Sequence, residues 1–105
     1  MNPYLALALA ISAEVLATSA LKATQSFTQL IPSVITVLGY CAAFFFLSIA
    51  IKVIPVGVAY GIWSGLGIVL VSIAAYFLYD QSLTPQQTLG LALIVSGVAV
   101  VNFKW

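Results

Sequence analysis

Four long apolar runs, at about residues 3–21, 31–51, 56–79 and 86–103, occupy most of the chain, and only one charged side chain falls inside any of them. About 20 apolar residues wound as a helix span the hydrocarbon core of a bilayer. Four such runs are too long and too many for the core of a soluble domain of 105 residues. The chain reads as an all-α membrane protein, one domain over residues 1–105, with four transmembrane helices joined by short loops. Its charge content agrees: 5% of residues are charged, against about 25% in a soluble domain.

The charged side chains are Glu14, Lys22, Lys52, Asp80 and Lys104. Four lie near run ends, where a lysine stem reaches the interface. Glu14 sits just past the middle of the first run, too deep for a short side chain to reach water. By analogy with Asp on the insertion scale, placing it there costs a few kcal/mol, and an acid kept at that depth by default marks an ion or substrate path. The ordinary alternative is a protonated Glu making a structural interhelical hydrogen bond.

Several classes of function have nothing to stand on. A net charge of +1 gives no patch for nucleic acid. With no histidine and one cysteine, Cys41, a disulfide framework and an ordinary zinc site within one chain are excluded. Cys41 reads as a small packing residue. There is no Gly-rich phosphate loop and no nucleophile–His pair, so the chain reads as no enzyme, with no metal and no cofactor. The start, Met1-Asn2-Pro3-Tyr4, lacks a basic region and the run after it carries Glu14, so a cleaved signal peptide is not expected.

Along the first run, alanines at 6, 10, 13, 17 and 20 form a small-residue stripe that permits close helix approach in lipid. Ala10 and Thr18 stand four residues on either side of Glu14 and leave room for a guest. Residues 22–30 are polar enough for a loop. The second run has Pro32 in its first turn, Tyr40 at mid-depth and the row Phe44–Phe46, and closes at Lys52. The linker to Pro55 is short, which predicts an antiparallel hairpin of helices two and three. In the third run Tyr60 and Trp63 are three apart, hence on one face. Tyrosine is commonest at membrane interfaces, but Trp63 is deeper than that. Gly65 and Gly67 either allow a bend or admit a neighbouring helix. Thr84-Pro85 is a helix start. In the fourth run Gly90 and Gly97 are seven apart on one face, which suits a helix-to-helix seam. Both termini fall on one side, with Lys52 and Lys104 there against Lys22 opposite. One lysine of difference hardly fixes orientation.

Four helices bury one small site but cannot wall off a long pathway, so a homo-oligomer is expected. Two copies bring two Glu14 carboxyls and several aromatic faces into one cavity, and both attract cations. Such a site holds protons or an organic cation, which is the physical basis of proton-coupled antiport.

The residues also carry a family resemblance. Met1-Asn2-Pro3-Tyr4, Ala13-Glu14-Val15, Leu21-Lys22, Tyr40-Cys41-Ala42, Ile54-Pro55 and the block from Tyr60-Gly61-Ile62-Trp63 to Ser64-Gly65-Leu66-Gly67-Ile68-Val69-Leu70 make the chain similar to the small multidrug resistance family over nearly its whole length. The resemblance implies an antiparallel homodimer in a bacterial inner (plasma) membrane. It implies export of hydrophobic quaternary ammonium and aromatic cations by alternating access. Glu14 would bind proton and cation in turn. Tyr40, Tyr60 and Trp63 would line the chamber, Tyr4 would lie nearer its mouth, and Ala10 and Thr18 would flank the carboxylate. Gly65 and Gly67 would form the hinge, and Gly90 and Gly97 the dimer seam. The family's guanidinium exporters place a Trp two residues after the Glu; Leu16 stands there in this chain, which favours the multidrug branch. The last loop has Ser82 where the family often has a basic residue. Guanidinium, and small osmoprotectant cations such as choline or betaine, are the other substrates considered, and a non-transporting interaction subunit is the other function.

Overall fold

The computed structural model describes residues 1–103 and consists of four α-helices and one 3₁₀ turn. Lys104, counted above on the terminal side, lies outside the described residues. Helix α1 is Pro3–Leu21. Asn2 caps it: the Asn2 carboxamide oxygen accepts from the backbone N–H of Tyr4 at 2.8 Å and of Leu5 at 3.3 Å, and Pro3 occupies a position where a missing N–H costs nothing. The chain leaves α1 through a 3₁₀ turn, Lys22–Thr24. Gln25, Ser26 and Phe27 then all adopt positive φ, unusual for residues other than glycine. Buried Thr24 holds this reversal: its hydroxyl donates to the Leu21 carbonyl at 2.7 Å and accepts from the Phe27 N–H at 3.2 Å.

Helix α2, Leu30–Ala50, begins one residue before the apolar run and stops one before its end. The stop has a cause, since Lys52 and Val53 donate to carbonyls only three residues back, tightening the chain into a turn. Helix α3 is Val56–Tyr79, and Asp80 ends it in a left-handed conformation with its N–H on the Ala75 carbonyl. Helix α4 is Pro85–Val101, opened by a reciprocal cap in which the Thr84 hydroxyl accepts from Gln87 N–H at 3.1 Å and the Gln87 side-chain oxygen accepts from Thr84 N–H at 3.0 Å. Three helices are long and apolar enough to cross a membrane. The fourth is apolar but has 17 residues, a length of about 25 Å against a hydrocarbon core of about 30 Å.

Helix α1 is the centre of the packing. It lies against both α2 and α3, while α4 lies against α3. The result is a slab of 42 × 35 × 16 Å, its thin dimension little more than one helix. Helices α2 and α3, joined by the short turn after Ala50, are therefore not closely packed on each other. They meet through the rings of Phe44 and Trp63, and α1 occupies the place between them. The reason is side-chain size. Ala6, Ala10 and Ala17 of α1 and Ala43 and Ala50 of α2 are fully buried, so the two backbones approach where small residues face each other. The tightest point is Gly39: a Cβ there would stand 2.7 Å from the Ala17 Cβ and 3.2 Å from the Ala13 carbonyl oxygen. Gly39→Val is expected to lower stability by about 1–3 kcal/mol, as overpacking does, read as earlier thermal unfolding in detergent. An unshifted transition would mean that α1 and α2 separate more easily than this contact allows.

Helix α4 has no buried residue. Val98 and Ile94 meet α3 at Gly65. Leu89, Leu93 and Val100 are exposed, and Gly90 and Gly97 have open space where a side chain would stand.

Candidate functional site

Glu14 lies on α1 where it faces α3, half-buried. One carboxyl oxygen, Oε1, accepts a hydrogen bond from the Thr18 hydroxyl at 2.9 Å, one helical turn on. Thr18 also lies 2.6 Å from the Tyr40 hydroxyl of α2. A threonine hydroxyl has one hydrogen, and with that hydrogen on Glu14 the Tyr40 hydroxyl is the donor to Thr18. The order is Tyr40 to Thr18 to Glu14.

The other oxygen, Oε2, is buried and has no hydrogen-bond partner among the described residues. It packs over Gly67 of α3, where a Cβ would stand 2.8 Å from Oε2 and 3.5 Å from the carboxyl carbon. Gly67 thus makes room for the carboxyl itself. Gly65, two residues earlier, faces away towards α4, where a Cβ would collide with Val98. Both glycines lie inside an unbroken helix, and each admits a neighbour.

A cavity of about 340 Å³ opens beside the carboxyl. Glu14 and Thr18 form its α1 wall, and Tyr60, Trp63, Ser64, Gly67, Ile68, Val71 and Ser72 form its α3 wall. Trp63 is buried and sets its ring edge-on to Tyr60 at 5.4 Å and to Phe44 of α2 at 5.3 Å. Its indole N–H has no partner among the described residues. Among the described residues no basic side chain lines the cavity, so none of them neutralises a formal negative charge on Glu14 there. A carboxylate beside aromatic side chains attracts cations and repels anions.

The structure brings Glu14, Thr18, Tyr60, Trp63 and Gly67 to this one cavity, and Tyr40 joins through Thr18. Ala10 does not line it; its side chain is fully buried in the apolar core. Tyr4 stands exposed in the first turn of α1, away from the cavity wall. Gly90 and Gly97 lie on α4, outside the site. Sequence reasoning missed Ser64, Ile68, Val71, Ser72 and Phe44. The α3 members had a legible signal, since residues 60, 64, 67, 68, 71 and 72 recur at three- and four-residue spacing on one helix face. Among the described residues no group of three or more potential metal ligands occurs.

Helices apolar enough to cross a bilayer, packed around a half-buried carboxyl and its cavity, define a multi-pass membrane protein with a polar site inside its helical layer. Residues 2–94 match the Small Multidrug Resistance protein family. The chain is 54% identical over 102 residues to the quaternary ammonium compound-resistance protein QacF of Klebsiella aerogenes, and 51% identical to QacE of Escherichia coli. It is 45% identical to the multidrug transporter EmrE of Escherichia coli K12. Each alignment covers 97% of this chain and 93% of the relative. The chain belongs to the small multidrug resistance family of membrane transporters.

Proposed function

We propose that the protein is a proton-coupled antiporter of the bacterial inner membrane that exports hydrophobic quaternary ammonium and aromatic cations, working as an antiparallel homodimer. The observation that carries this reading is the Glu14 carboxyl, held by Thr18 on one oxygen and, among the described residues, unpartnered on the other, beside Tyr60 and Trp63 in a cavity that no described basic side chain lines. The names of the relatives, a quaternary ammonium compound-resistance protein and a multidrug transporter, support the substrate class.

Glu14 exchanges one positive guest for another. With a proton on the carboxyl the cavity is neutral and gives an organic cation no charge to pair with. With the carboxyl ionised, the cation takes the proton's place and lies against Trp63 and Tyr60. Because both guests need the same group, they alternate. Alternating access then carries protons one way and cations the other. Gly65 and Gly67 are the proposed hinge of that motion, and the contacts they admit from Val98 and Glu14 are what would be remade on bending.

The test is transport by purified protein in liposomes with an acidic lumen. Tetraphenylphosphonium should accumulate inside in exchange for protons, and collapsing the gradient should stop it. Accumulation that ignores the gradient would overturn the coupling. Trp63→Ala is expected to weaken tetraphenylphosphonium binding about tenfold or more, the scale of a desolvated cation–ring contact; unchanged affinity would return Trp63 to a packing role.

The dimer seam is proposed along α4, where a side chain at Gly90 or Gly97 would meet nothing among the described residues. Gly97→Val would keep a second helix from approaching closely. Loss of cross-linked dimer together with loss of transport is expected. A fully dimeric, active variant would remove the seam from this helix.

A further inference from the structure

One turn of α1 is held from both sides by hydroxyl groups. The buried Thr36 hydroxyl of α2 donates to the Ala17 carbonyl at 3.1 Å. The Tyr79 hydroxyl of α3, sixty residues away in sequence, donates to the Ser19 carbonyl at 2.6 Å. Between these two carbonyls stands Thr18, which donates to Glu14 and lies 2.6 Å from Tyr40. Three consecutive residues are therefore each gripped by a hydroxyl from a neighbouring helix.

The placement is specific. Ser19 falls in the last turn of α1, where carbonyls run out of intrahelical partners and can take a side-chain donor. The Tyr79 ring is itself held, with the Lys22 ammonium 5.6 Å from its centroid. On the α2 side, Ala17 is fully buried and Gly39 brings the backbone close enough for Thr36 to reach. The Thr36 hydroxyl is buried among apolar helices and has no water to turn to, whereas Tyr79, the last residue of α3, is half-buried.

We propose that Thr36 and Tyr79 are positioning residues of the Glu14 site, acting through the α1 backbone to fix the direction from which Thr18 donates to the carboxyl. Neither residue lines the cavity, so neither touches the guest. The grip sets how α1 carries Glu14 between α2 and α3, and any movement of α1 against α3 that breaks the Tyr79 contact reaches Glu14 through Thr18. The inference rests on the Glu14 cavity being the cation site.

The chain helps the test, because Glu14 is its one glutamate: glutamate labelled with ¹³C at the carboxyl reports this group alone. Tyr79→Phe removes one oxygen and keeps the ring under Lys22, and Thr36→Val keeps the shape of the side chain. Each is expected to move the Glu14 carboxyl resonance and to weaken tetraphenylphosphonium binding about three- to tenfold, the scale of one interhelical hydrogen bond in a membrane. Thr36→Ser keeps the hydroxyl and should match wild type in both readings. In a Thr18→Val background, Tyr79→Phe should add nothing further, because the link to the carboxyl is already cut. A wild-type Glu14 resonance in both Tyr79→Phe and Thr36→Val would overturn the proposal. So would an equal loss of binding with and without Thr18, which marks general loosening of the fold. If the wild-type protein binds no tetraphenylphosphonium, the transport reading falls, while the Glu14 resonance still decides the positioning role.

Discussion

Glu14→Gln is expected to weaken binding of tetraphenylphosphonium by about a hundredfold or more, as neutralising one partner of a buried charge pair does, and to abolish proton-driven exchange. Glutamine has the volume of glutamate, and its carbonyl oxygen accepts from Thr18 as Oε1 does. The α1 turn and the cavity wall therefore survive, and only the charge goes. Among the described residues nothing else lining the cavity replaces it, since the remaining side chains are aromatic, aliphatic or hydroxyl-bearing. Glu14→Asp is the companion variant. It keeps the charge but draws it back from Gly67 and from Thr18, so it should change the pH dependence of binding and not merely scale the affinity. A Glu14→Gln protein that binds the cation as wild type does would place the site elsewhere.

Gly67→Ala is expected to reduce cation binding about tenfold while leaving stability nearly unchanged, because the nearest atoms its methyl meets are the end of the Glu14 side chain, which can swing aside. The new methyl would stand 2.8 Å from Glu14 Oε2. The carboxyl must swing out of its place, and with it the hydrogen bond from Thr18. Gly65→Ala should also impair the protein, for a different reason, since its methyl collides with Val98 of α4. The two causes separate by compensation. Val98→Ala should restore the Gly65→Ala protein and leave the binding defect of Gly67→Ala unimproved. Measured stability and binding of the four combinations decide it. If Gly65→Ala stays impaired beside Val98→Ala, backbone freedom at the hinge, and not packing, is what that glycine supplies.

Much of this was legible in the residues. A lone acid inside an apolar run marked Glu14, and three-residue spacing placed Tyr60 with Trp63; both residues line the cavity. What escaped was the register between helices. In lipid that register is set by small residues, and this chain has alanine or glycine in every apolar run, so sequence could not say which of them meet. Gly39 meets Ala17 where α1 packs on α2, and the short linker after α2 did not show that α1 would pack against both α2 and α3. Ala10 shows the limit of spacing arguments. Four residues advance a helix about 40° beyond one full turn, so Ala10 and Thr18 stand on opposite flanks of Glu14. Thr18 turns to the cavity and Ala10 turns into the core. The hydroxyl contacts of Thr36 and Tyr79 left no trace in spacing at all, because each joins residues far apart in sequence.

The central claim is that proton and cation compete for one carboxyl, and calorimetry reads it most directly. A cation that binds the ionised carboxyl must displace its proton, and by linkage lowering the pH must then weaken binding. Titrating tetraphenylphosphonium into the detergent-solubilised protein in buffers of different ionisation enthalpy counts the protons that leave. The account predicts an observed enthalpy that changes with the buffer in the sense of proton release, affinity that falls as pH falls, and the loss of both effects in Glu14→Gln. Tight binding whose enthalpy is the same in every buffer and whose affinity is the same at every pH would contradict it.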